Sequence, residues 1–218
     1  DSRSEEERTP ARREVVRTSL RFGDTFPEHE NAPTVLGGAA ADLYEMQEFA
    51  QAVDVGRRVI TTYPAAEPDI LRAAWMVVAH ASFDLERFEE AEEGYAQVLR
   101  RTELDDEGRA DLIENLAAAI YKQGEQAVAA EDHETAARHF LRIARHSPTS
   151  RIRPTAEFDG AVALIQLKAW DRAAEVLRAF RTNFPGHELQ PEVTKRIALV
   201  YKESGQLVMA ASEYERIE

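Results

Sequence analysis

The chain has 218 residues, 44% of them hydrophobic, and a formal net charge of −13. That charge repels phosphate backbones and disfavours nucleic acid as a partner. No apolar run approaches the roughly 20 residues that span a bilayer, and the absence of cysteine removes disulfides and thiolate chemistry. Ala, Glu, Arg and Leu dominate, and only 10 Gly and 9 Pro interrupt them, so the composition predicts an all-α protein.

Residues 1–10, DSRSEEERTP, are charged, carry no apolar stripe and read as a flexible end. Residues 11–32 read as the second helix of a pair whose first helix is missing, with Val15 at its packing position and Pro27 closing it. Five helix pairs follow, at about 33–64, 72–104, 106–148, 154–185 and 191–218. Each first helix has a small residue at its centre: Ala40, Ala79, Gly124, Ala161 and Ala198. Twelve residues later each second helix has an alanine: Ala52, Ala91, Ala136, Ala173 and Ala210. Large residues stand three before or four after it, as with Phe88 and Tyr95, Phe140, Trp170 and Leu177, and Leu207 and Tyr214. His133 and Gly56 are the exceptions. Spacings of three and four put these groups on one helix face. The alanine lets a neighbouring helix come close, the large residues fill the groove beside it, and a proline stops the helix at Pro64, Pro148 and Pro185. Steps between successive alanines are 39, 45, 37 and 37 residues. The long step predicts a first helix stretched by about two turns, from near Asp106 to Ala130. The last stretch ends inside a second helix, so both ends read as cut from a longer protein.

Two distant segments, TFPEHENAPTV (25–35) and NFPGHELQPEV (183–193), share the pattern Phe-Pro-x-His-Glu-x-x-Pro. A zinc-protease reading of His-Glu needs a second His four residues on, where these segments have Pro33 and Pro191. The pattern therefore reads as a joint between pairs, with the second proline in the first turn of the next helix and His29 and His187 capping the preceding helix or facing solvent. His133 and His139 lie on different faces of a helix, and ELDDEG (103–108) reads as a helix start near the positive dipole end. No glycine-rich phosphate loop or nucleophile elbow is present. No catalytic residue, metal site or cofactor is expected, and the chain is not read as an enzyme.

Trp75-x-x-Val78-Ala79 followed by Ala91-x-x-x-Tyr95, and the Gly124, Ala136, Phe140, Pro148 run, resemble the tetratricopeptide repeat. Ser82 stands where that family has Tyr. Trp75, Ala79, Ala91, Tyr95, Gly124, Ala136, Phe140, Ala161, Ala173, Ala198, Ala210 and Tyr214 are the repeat-packing residues on this reading. The resemblance implies a right-handed α-solenoid of antiparallel helix pairs whose first helices line a groove that takes a protein or peptide segment. Met76, His80, Phe83, Tyr121, Phe158 and Lys195 fall at groove-facing positions, and whether the aromatic ones are exposed or core stays open. The lining lacks the Lys-Asn array with which chaperone-binding members clamp a carboxylate. The expected function is a non-enzymatic binding scaffold. The alternatives are a structural spacer that self-associates through its ends and a regulatory segment of a larger enzyme. The long pairs ending in Phe-Pro or Tyr-Pro are similar to those of BamD-like bacterial cell-envelope assembly proteins. That likeness implies a periplasmic or envelope setting; a cytoplasmic one stays open.

Overall fold

The computed structural model describes residues 5–101 and 105–216, which form eleven helices and no strand. The all-α class of a solenoid built from helix pairs therefore holds. In chain order the helices are α1 (Glu5–Thr25), α2 (Ala32–Glu45), α3 (Phe49–Thr62), α4 (Pro68–Asp84), α5 (Phe88–Arg101), α6 (Asp106–Ala129), α7 (His133–His146), α8 (Arg153–Gln166), α9 (Trp170–Asn183), α10 (Gln190–Glu203) and α11 (Leu207–Glu215). Residues 1–4, 102–104 and 217–218, at the edges of three of the expected segments, lie outside the described residues. The chain divides into two compact units, Asp1–Leu112 and Ile113–Glu218.

In the first unit, α1 packs on α2, α2 on α3 and α4, and α4 on α3 and α5. Leu36, Leu43, Val53, Val59 and Val78 form the buried centre. Ala52, Ala79 and Ala91 are fully buried, as close helix approach requires. Gly56, the exception to the large-residue rule, lies close against α4: a Cβ there would lie 2.7 Å from Val78. Two expectations are corrected in α1. Its helix starts at Glu5, inside the segment read as a flexible end, because a run of glutamates suits a helix N-terminus without any apolar stripe. Its buried valine is Val16, while Val15 is 54% exposed; the packing stripe in α1 is one residue out of step with the later helices.

In the second unit, α7 packs on α8, α8 on α9, α9 on α10 and α10 on α11. Ile120, Phe140, Ile143, Leu164, Leu177, Phe180, Ile197 and Val200 are buried, together with Ala136, Ala161, Ala173, Ala198 and Ala210. A Cβ on Gly124 would lie 2.5 Å from the Phe140 ring, so α6 and α7 meet through the smallest residue on one side and the largest on the other. Tyr214 departs from its expected packing role and is 46% exposed. It sits in the last described turns of α11, which packs against α10.

The turns within pairs are built alike. Gln47, Glu86, Glu131, Lys168 and Gly205 all have φ between 56° and 80°. Each donates its N–H three residues back, and the next residue donates five residues back, as in Arg87 to Ser82 and Ala169 to Leu164. This is the Schellman ending of a helix, in which a left-handed residue lets the chain reverse.

The joints between pairs repeat as well. The residue before each proline (Phe26, Tyr63, Ser147, Phe184) accepts from the N–H three residues on. Tyr63, Ser147 and Phe184 share φ between −122° and −140° with ψ near 60°, outside the helical region that a following proline disfavours. Of the two expected roles for His29 and His187, capping the preceding helix or facing solvent, the first is not taken; His29 is exposed and His187 half-buried. Asn31 N–H donates to His29 Nδ1 at 3.1 Å and Leu189 N–H donates to His187 Nδ1 at 3.2 Å. Each ring also stands edge-on to the phenylalanine seven residues earlier, Phe22 at 5.3 Å and Phe180 at 5.6 Å. In the third joint Ser150 Oγ accepts from Ile152 N–H at 3.1 Å and does the same work.

Successive second helices within each unit are tied by arginine–carboxylate pairs: Arg58 to Asp24, Arg57 to Glu90, Arg172 to Glu134 and Arg181 to Glu213. The last is bidentate, at 2.7 and 3.0 Å, with Glu213 buried. Its hydrogen bonds to Arg181 hold the Glu213 carboxyl below the usual carboxylate range. The exposed pairs contribute between zero and about 1 kcal/mol each.

Candidate functional site

Three helices of the second unit enclose a cleft of about 490 Å³. Tyr121, Glu125, Val128 and Ala129 reach it from α6, His133 and Phe140 from α7, and Asp159, Val162, Ala163 and Gln166 from α8. The lining is mainly apolar because α6 and α8 turn small and branched residues toward each other, while Phe140 forms the floor. Val128 is 44% exposed, so the cleft is open to solvent at the α6 side.

Tyr121 Oη donates to Asp159 Oδ2 at 2.6 Å, and the Tyr121 ring lies 5.0 Å from Phe140, tilted. Burial raises the Tyr121 hydroxyl above the usual tyrosine range, and the bond to Asp159 adds to the shift, so the hydroxyl keeps its proton. Burial also pushes the Asp159 carboxyl up, against the Tyr121 hydrogen bond and with the charge of Glu125. Lys122 pairs with Glu125 at 2.6 Å. Among the described residues, Asp159 has the Tyr121 hydroxyl and no basic partner.

The first unit carries a related cluster. Burial is the main cause that raises the Tyr44 hydroxyl on α2, and Asp84 at the end of α4 adds to the shift. His80 Nδ1 is 2.9 Å from Tyr95 Oη. Burial lowers His80 below its ordinary value, with the charge of Asp84 pulling the other way.

The six groove candidates divide between the units. Met76, His80 and Phe83 are half-buried on α4, with Phe83 set edge-on to Phe88 at 5.1 Å. Tyr121 lines the cleft, Phe158 is half-buried on α8 outside the cleft lining, and Lys195 is exposed and 3.8 Å from Glu192. None of the four aromatic candidates is fully buried or fully exposed. Trp75 is half-buried beside Pro64, Pro68 and Leu71 around a separate cavity of about 350 Å³, and its indole N–H has no hydrogen-bond partner among the described residues. Asp159 was missed: it sits one residue from the candidate Phe158, and only its 38-residue separation from Tyr121, close to the repeat step, hints at a pairing. Among the described residues, no group of acidic or histidine side chains has a metal-binding arrangement, and no helix is long and apolar enough to cross a membrane.

No curated protein matches the sequence. Among solved structures, YrrB, described as a TPR protein with an unusual peptide-binding site, is 16% identical, with a TM-score of 0.44 over 90% of each chain. MamA is 13% identical, with a TM-score of 0.46 over 87% of this chain and 91% of its own. The TPR2AB domain of yeast Sti1, solved with an Hsp90 peptide, is 15% identical, with a TM-score of 0.40 over 96% of this chain and 85% of its own. Residues 156–187, which run from within α8 through the joint after α9, match the family model described as Tetratricopeptide repeat. That match supports a tetratricopeptide repeat in this stretch of the chain, in agreement with its helix pair.

Proposed function

We propose that the chain is a non-enzymatic scaffold that holds a protein or peptide segment in the cleft between α6 and α8. One observation carries the reading: a cleft of about 490 Å³, apolar in its lining and open at Val128, with a few polar groups gathered at Tyr121 and Asp159. Pockets of that size and make-up are where ligands are usually held. The half-buried Met76, His80 and Phe83 in the first unit are a second candidate contact surface on the same reading. Service in bacterial cell-envelope assembly, in a periplasmic setting, rests on the likeness of the long helix pairs alone. Selection of displayed random peptides, followed by hydrogen exchange on the complexes, tests the scaffold reading. Protection should concentrate on α6 and α8 and disappear in Val128→Glu. Selected peptides that protect neither helix would overturn it.

A second reading is favoured by α11, on which Leu207, Val208, Met209 and Tyr214 are 66%, 86%, 44% and 46% exposed. This apolar patch supports self-association, the property of a structural spacer. Light scattering across a concentration series checks it; a monomer at all concentrations would remove it.

A further inference from the structure

We infer that the cleft between α6 and α8 selects a segment presenting an arginine or lysine flanked by aliphatic residues, a specificity that rests on the scaffold reading above. The argument is charge complementarity. The apolar walls, Val128, Ala129, Val162 and Ala163, suit aliphatic neighbours and the methylene stem of a long basic side chain. The polar end of the cleft is acidic: Glu125 and Asp159 both line it. Lys122 already answers Glu125, His133 stands on the α7 side, and Asp159 is met by a neutral hydroxyl only. An incoming apolar segment without a cation would bury that carboxylate unanswered, which is costly. An acidic segment would meet repulsion as well. A guanidinium or ammonium head reaching Asp159 converts the same group into a charge-assisted hydrogen bond. Tyr121 fixes the carboxylate in place through one oxygen, Oδ2, and leaves Oδ1 to receive the head group.

The test uses the intact chain and three capped heptapeptides of Ala and Leu that differ only at the centre, which is Arg, Gln or Glu. Affinity and the site of contact are both read by NMR titration, following the methyl signals of Val128 and Val162. The Arg peptide should bind more tightly than the Gln peptide by about tenfold or more, and the Glu peptide should bind least. Asp159→Asn, which keeps the bond to Tyr121, should abolish the preference for Arg, weakening the Arg peptide and tightening the Gln peptide, which no longer buries a carboxylate. Equal binding of Arg and Gln peptides at these methyls overturns the inference and leaves the scaffold reading standing. A preference for Arg that survives Asp159→Asn overturns it too. No shift at either valine with any of the three overturns both.

Discussion

Gly94 on α5 offers a test in which helix propensity and packing predict opposite signs. Alanine is intrinsically better than glycine in a helix by about 1 kcal/mol. At position 94, however, the added methyl would lie 2.7 Å from the Ala79 Cβ, 3.1 Å from its Cα and 3.3 Å from its N. Two of those atoms are backbone of α4 and the third is fixed to it, so no side chain can swing away. Ala79 is fully buried, and the two helices would have to part. Overpacking of this kind costs about 1–3 kcal/mol, so Gly94→Ala should lose up to about 2 kcal/mol after the propensity gain of about 1 kcal/mol is counted. Gly38, in the middle of α2, is the control: nothing lies within 4 Å of its added Cβ, and Gly38→Ala should gain up to about 1 kcal/mol. Urea denaturation followed by circular dichroism separates the two variants. If Gly94→Ala is stabilised as much as Gly38→Ala, the close approach of α4 and α5 at Ala79 is refuted.

Lys168 has φ of 56°, a conformation unfavourable for any residue with a Cβ, and Lys168→Gly should raise stability by about 0.5–1 kcal/mol in the same assay. His187→Ala should lose about 1 kcal/mol with its hydrogen bond to Leu189 N–H, whereas His187→Ser should retain much of it, because Ser150 makes the equivalent bond in another joint. For Asp159 the folded carboxyl is raised above its unfolded value. Its favourable contribution is full below the unfolded value of about 3.9 and is lost as pH rises through the raised folded value. Asp159→Asn should therefore melt at the same or a higher temperature than the unaltered chain near pH 7, with that advantage gone near pH 3; a lower melting temperature at neutral pH would contradict it.

Helix pairing was legible in the sequence because close packing demands small residues at fixed intervals. Ala52, Ala91, Ala136, Ala173 and Ala210 mark the pairs, and the long α6 follows from the one anomalous step. The reversals inside the pairs were not legible. Glycine is the usual sign of a left-handed helix ending, and only Gly205 shows it; Gln47, Glu86, Glu131 and Lys168 adopt the conformation under the compulsion of the packed helices on either side. Repetition gave away the joints but not the bond each histidine makes, since an imidazole that accepts a backbone N–H two residues ahead looks in sequence like any exposed histidine. For the candidate site, helical spacing put Tyr121 at a groove-facing position, and Tyr121 lines the cleft. Asp159 escaped because a polar residue beside a groove position reads as solvated surface until its partner on the other helix is known.

The sameness of the left-handed turns means that the polypeptide can be cut and spliced like tape. Lys168 and Gly205 occupy equivalent points 37 residues apart, with φ of 56° and 80° and the same pair of backbone hydrogen bonds. A copy of residues 168–204 inserted after residue 204 would begin and end in backbone conformations that the chain already uses, and no new junction would have to be invented. A solenoid with such interchangeable ends can lengthen or shorten by whole modules through recombination in its gene, and each event would tend to preserve folding while changing the number of surfaces offered to partners.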